Sequence, residues 1–405
     1  MSCDYGIPGD LLRFLGACLY GDAPAFYCGL NESERAELEM KGKRFGLTAW
    51  FYRYLHEVLP EEKRAEYRKE YQARQAKAIM GAHELKRLYG VLASHGLRFV
   101  PVKGADLTYR LYPDTALRTF SDWDIWFHPD DCESAFGVLK EDGWTIPELY
   151  SDEQENARKT ARHHFSPHVR GQYALEPHFT LANFEGVDPR EMWDGTVECP
   201  GGDGQRALSP EMNLLMLARH AASQSYYHTR LPKLLTDAAM VMQKETVDFA
   251  KLRSMAARWH LPYPGDLLAA FPEFFPSDTI ADFGADPRKT AGFRRVFELR
   301  GKMGEPKTAA LLLGRFKVRG QVFEGLLNHI KMLDPGNIRL IYRLPKHGAR
   351  GRVAWSYVCY FSTRSWRVLA ACLQRDPDLR EYVSLVEEIE TDQTESHDDQ
   401  SIKKT

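Results

Sequence analysis

Two aspartates one residue apart, Asp122 and Asp124, stand downstream of a Lys103-Gly104 pair. The stretch reads Phe-Val-Pro-Val-Lys-Gly from Phe99 and Ser-Asp-Trp-Asp-Ile-Trp-Phe from Ser121. A strand alternates its side chains with period two, so an Asp-x-Asp opening the run Ile125-Trp126-Phe127 places both carboxylates on one side and Trp123 on the other. Like charges held side by side are costly without a cation. Magnesium supplies one: it prefers hard oxygen ligands and is usually held by one or two carboxylates plus substrate phosphates. Gly104 has no Cβ, so a phosphate could approach its backbone. The amides of a helix opening at Ala105 would face that phosphate, with the helix dipole adding attraction. Lys103 and Arg118 could neutralise phosphate, or pair with Asp122 or Asp114. Each motif alone is common on turns and strand ends; their order and flanking apolar runs suit a nucleoside triphosphate and its magnesium.

Positioning these residues requires a small sheet. A strand is expected at 97–102, a helix from Ala105 to Tyr112 stopped by Pro113-Asp114, a second strand at 122–127, and a helix at 132–141. A hairpin is expected at 164–180 with its turn at Gly171-Gln172. Upstream, Asp10 reads as the N-cap of a first helix. A long helix is expected from Glu61 to Ser94, with Ala78, Ala82, Leu85, Leu88 and Leu92 on its buried face. Downstream, Ser209 and Pro210 open a helix reaching Ser223, and another spans 231–243. The stretch from Pro262 to Pro287 reads as an irregular connection, and 389–405 as a disordered tail. The predicted class is α+β: a small mixed β-sheet core at 85–188, helical regions at 1–84 and 189–388, and the tail.

Composition narrows the function classes. The 405 residues carry a formal net charge of −2, with 43% hydrophobic and 27% charged residues. That excludes a globally basic nucleic-acid binder. No apolar run approaches the roughly 18–20 residues of a membrane span, and the first residues do not read as a secretory signal. Seven cysteines are scattered without a Cys-x-x-Cys pair, which argues for free thiols and a cytoplasmic location. Residues 301–370 hold 13 Lys and Arg against 3 acidic residues, interleaved with Trp355, Tyr357 and Trp366. This could be a nucleic-acid or polyanion surface, or a solvated face over core aromatics.

The span from Val102 to Phe127 resembles the signature of a bacterial family of uncharacterised nucleotidyltransferases with the DNA-polymerase-beta-like fold. Lys103-Gly104, Leu111-Tyr112-Pro113, Arg118, and Asp122 with Asp124 carry the resemblance, and Glu176-Pro177-His178 resembles the family's later acidic-x-His element. His220 and Leu234-Leu235-Thr236-Asp237 are weaker matches. The resemblance covers roughly 85–242.

The resemblance implies Asp122, Asp124 and Glu176 as catalytic residues and ligands of one or two magnesium ions. Lys103, Gly104, Ala105 and Arg118 would bind nucleotide phosphates. His178, His220 and Asp237 would contact the acceptor or orient the site, or serve only in packing. The implied reaction moves an NMP from an NTP, ATP foremost, to a hydroxyl or similar acceptor on a small molecule or protein, releasing pyrophosphate. A kinase-like transfer on the same fold and a catalytically degenerate nucleotide-binding scaffold are the alternatives. Two departures bear on activity: Ala105 stands where the wider superfamily has serine, and Glu176 where it often has Asp. His163, His164, His168 and His178 also form a candidate zinc cluster.

Overall fold

The sheet face that meets the helices is set by alternation along its strands. Strands β1 (Phe99–Val102), β2 (Trp123–Phe127), β3 (His168–Arg170) and β4 (Tyr173–His178) form one sheet in the order β1-β2-β4-β3. β2 runs antiparallel to β1 and parallel to β4, and β3 and β4 form the expected hairpin. Gly171 takes φ +57 at its turn, a conformation glycine adopts without strain. In this computed structural model the described residues are 9–147, 165, 167–181, 184, 187–199, 205–223, 231–261, 263–303, 381 and 384–385.

Phe99, Trp123, Ile125, Phe127 and Leu175 occupy one face of the sheet and join one buried cluster. Helix α5 (Glu61–Ser94) contributes Leu85, Leu88 and Leu92 to that cluster, and α7 (Cys132–Glu141) contributes Ala135, Val138 and Leu139. Fully burying each of these leucines stabilises by about 1.5–3 kcal/mol. Three of the five positions expected on the buried face of α5 are core; Ala78 and Ala82 are only partly buried, and Gly81 is buried instead. Gly81 is needed there: an added Cβ would lie 2.9 Å from the Tyr109 hydroxyl, which donates to the Ala78 carbonyl.

The N-terminal region is a run of short helices: α1 (Gly9–Tyr20), α2 (Ala23–Gly29), α3 (Glu32–Arg44) and α4 (Thr48–Leu55). Asp10 is not the cap of α1; it lies inside the first turn and pairs with Arg13, because the helix already includes Gly9. Asn31 and Glu34 cap α3 reciprocally. The buried Glu39 carboxylate accepts from Tyr27 (2.5 Å), Lys63 (2.5 Å) and Tyr67 (3.1 Å), tying α2, α3 and α5 together.

After the sheet come α8 (Pro189–Asp194), the hairpin β5 (Thr196–Glu198) and β6 (Arg206–Leu208), α9 (Pro210–Ser223), α10 (Leu231–Lys244) and α11 (Phe249–Arg258). The segment expected to be irregular instead folds into α12 (Pro264–Ala269), a 3-10 turn at Pro272–Phe274, and α13 (Ser277–Phe283). Within it, Pro264 and Pro272 sit at helix starts, where a missing N–H costs nothing. Its phenylalanines Phe271, Phe274, Phe275 and Phe283 are core.

The chain divides into two units, one of Ile7–Ile146 with Arg162–Ala285, the other of Met1–Gly6, Pro147–Ala161 and Asp286–Thr405. The first contains the sheet and its flanking helices. In the second, α14 (Pro287–Met303) carries Arg295, which pairs with Glu381 at 2.6 and 2.9 Å. The expected tail and almost all of the basic 301–370 stretch lie outside the described residues, as do His163 and His164. Among the described residues, no helix is long and apolar enough to cross a membrane.

Candidate active site

The sheet face opposite the core carries the candidate chemistry. Register pairs Asp124 on β2 with Glu176 on β4, and Trp126 with His178 one pleat further on. Residues in register on neighbouring strands share a face, so two carboxylates and an imidazole converge. Ligand atoms of Asp124, Glu176 and His178 lie within 4.8 Å of one another. Two carboxylates and an imidazole suit a divalent cation. In this arrangement His178, rather than Asp122, joins the other two. The reason is local: β2 begins at Trp123, so Asp122 lies in the preceding bend and the alternation of the strand does not reach it. The Asp122 carboxylate accepts from the Ser121 hydroxyl at 2.8 Å, yet its charge still acts on His178. β2 is also an inner strand, flanked by β1 and β4, and not a sheet edge.

Lys103 completes the cluster from β1. Val102 is the register partner of Asp124, and Lys103 follows it at the turn into α6 (Gly104–Arg110). It takes φ 52, ψ −122, a region disfavoured for a residue with a Cβ, at a cost of about 1–3 kcal/mol. The turn brings its ammonium 2.7 Å from Asp124 Oδ1. The same oxygen lies 2.8 Å from His178 Nε2. Burial pushes the Asp124 carboxyl up, but the Lys103 charge and the His178 hydrogen bond outweigh it and hold the group well below the usual carboxylate range. Burial pushes His178 down, and Lys103 acts in the same direction against the pull of Asp124. The ring is therefore neutral near pH 7, with Nε2–H donating to Asp124. Asp124 and Glu176 thus bring two carboxylates beside the Lys103 ammonium, with Asp122 in the bend nearby.

Of the residues expected at phosphate, Arg118, Gly104 and Ala105 each have protein neighbours of their own. Arg118 is 6% exposed, and its Nε and one terminal nitrogen donate to both oxygens of Asp237 at 2.7 and 2.8 Å. Tyr112 donates to the same carboxylate at 2.7 Å. Arg118 thus fastens the segment before β2 to α10, with Asp237, itself 1% exposed, as its anion. Gly104 is needed for a protein contact: an added Cβ would lie 2.6 Å from the Phe120 ring and 2.8 Å from Arg118 Nη1. Ala105 is buried in the core cluster. Gly104→Ala should therefore lower stability by about 1–3 kcal/mol in chemical denaturation, the usual cost of overpacking. Unchanged stability with weakened nucleotide binding would restore the phosphate role.

His220 lies near the end of α9 and is outside the converging set. His168 is also excluded from it: paired with Leu175, it faces the core side of the sheet and stacks on Phe136 at 5.5 Å. A pocket of about 110 Å³ opens beside Arg118, between Trp50, Leu117, Thr119 and Lys233. Ligand pockets usually measure ~300–1,000 Å³, so it is too small for a nucleotide. The ionic chain Asp106–Arg110–Glu245, which ties α6 to the end of α10, had only the i,i+4 spacing of its first two members as a sequence signal.

A sheet-borne carboxylate pair with a lysine at a strand-to-helix turn is the kind of centre that handles a cation together with a phosphate-bearing substrate. A family model described as an uncharacterised nucleotidyltransferase matches residues 24–269. The match spans more than half of the chain, and the protein belongs to that family. No curated protein and no solved structure matches the chain.

Proposed function

We propose that the protein transfers an NMP from an NTP, ATP foremost, to a hydroxyl or similar acceptor on a small molecule or protein. The observation carrying this reading is the register pairing of Asp124 with Glu176, beside Lys103, on the sheet face away from the core. Asp124 and Glu176 would hold a divalent cation, with His178 fixing the Asp124 carboxylate or lending its nitrogen. Such a cation, when bound, neutralises phosphate oxygens and polarises the phosphorus. Magnesium is the expected ion, and the carboxylate oxygens of Asp124 and Glu176 also suit manganese. Lys103 supplies the positive charge nearest the triphosphate, in place of Arg118. Asp122, partly exposed at the start of β2, would contact a second cation. Glu176 would accept the acceptor's proton as its oxygen bonds to the α-phosphorus and the bond to the bridging oxygen breaks, releasing pyrophosphate.

The test is incubation with each triphosphate, magnesium or manganese, and a metabolite extract, followed by mass spectrometry. NMP adducts and pyrophosphate are expected from the wild type and not from Asp124→Asn. ADP with phosphorylated products would assign a kinase. Identical spectra from both proteins would leave a nucleotide-binding scaffold.

A further inference from the structure

We propose that Lys103 couples cation binding to nucleotide binding. It holds Asp124 while no nucleotide is present, and passes to the triphosphate as the cation takes its place. The inference rests on the reading of Asp124 and Glu176 as a cation site for a triphosphate. Asp124 Oδ1 already accepts from Lys103 at 2.7 Å and His178 at 2.8 Å. A divalent cation arriving alone at that carboxylate meets an ammonium in contact with it, and the two positive charges repel. An arriving triphosphate removes the conflict, because it offers the ammonium an anionic partner of its own.

The backbone suits this exchange. Val102 and Gly104 on either side of Lys103 are buried, and the residue between them is held at φ 52. The base of the side chain is thus fixed, whereas its four-carbon stem is flexible and 21% exposed. The ammonium can move between two anions without moving the turn. By linkage, whatever makes the nucleotide favour the cation makes the cation favour the nucleotide equally. Lys103 is therefore a positioning residue whose removal makes the cation alone bind better and reduces the help the nucleotide gives it.

Manganese provides the probe. Mn2+ is titrated into the full chain by electron paramagnetic resonance, with and without a non-hydrolysable ATP analogue, correcting for Mn2+ held by the analogue itself. The wild type should bind Mn2+ weakly alone and about tenfold or more tightly with the analogue, a coupling of ordinary size. Lys103→Met should bind Mn2+ alone several-fold more tightly than the wild type and gain little from the analogue. Lys103→Gly should do the same. It lacks the ammonium but accepts positive φ without strain, so it guards against a folding defect in Lys103→Met. If both variants bind Mn2+ alone no more tightly than the wild type, Lys103 is not the coupling residue, though the cation site stands. If no protein binds Mn2+ even with the analogue, the cation-site reading itself falls, and this inference with it.

Discussion

Asp124→Asn is expected to lower transfer at least about a thousandfold, equivalent to roughly 4 kcal/mol of transition-state stabilisation. The substitution preserves shape and removes the charge that Lys103 and His178 both address. It also removes one of the two carboxylates able to hold a cation. Asp122→Asn should cost distinctly less, because Asp122 lies outside the converging set, in the bend before β2. Initial-rate measurements on the two variants decide between the site drawn from the Asp-x-Asp spacing and the site drawn from strand register. Equal losses would restore Asp122 to full rank.

Asp237→Ala should be strongly destabilising, by about 3–5 kcal/mol, since it strands a buried guanidinium without its anion. Arg118, only 6% exposed, has little surface through which to recover solvation, and Tyr112 loses its strongest acceptor in the same step. In a unit of this size each kcal/mol corresponds to roughly 2–4 °C, so calorimetry should show the transition falling by about 10 °C. Exchanging the pair for apolar residues, Arg118→Met with Asp237→Leu, should recover most of the loss, because neither charge is then left buried alone. If Asp237→Ala unfolds like the wild type but raises KM for nucleotide, Arg118 is a phosphate ligand and its packing role is wrong.

These two sites mark where sequence was readable. The apolar runs, Pro113 as a stop and the Gly171 turn were enough to locate β1, β2, α6, α7 and the β3–β4 hairpin, because strand period and turn chemistry are local. Glu176 and His178 could be placed on one face for the same reason. Their meeting with Asp124 depends on β2 and β4 lying parallel and adjacent, which spacing alone does not determine. Arg118 and Asp237 lie 119 positions apart, and nothing local tells a phosphate-binding arginine from one buried in a pair. Gly104 illustrates the same limit: the absent Cβ was visible, but whether ligand or protein fills its place depended on Phe120 and Arg118. The stretch 262–287 misled because prolines at helix starts look like a loop, whereas its buried phenylalanines belong to the core.

The central claim, NMP transfer at Asp124 and Glu176, is tested most directly with ATP labelled at the α- or the γ-phosphate. Each is supplied with a divalent cation and acceptor-containing extract to the wild type and to Asp124→Asn. Label from the α-position should pass to product with the wild type alone, and label from the γ-position should leave as pyrophosphate. Transfer of the γ-label, or equal α-transfer by Asp124→Asn, would contradict it.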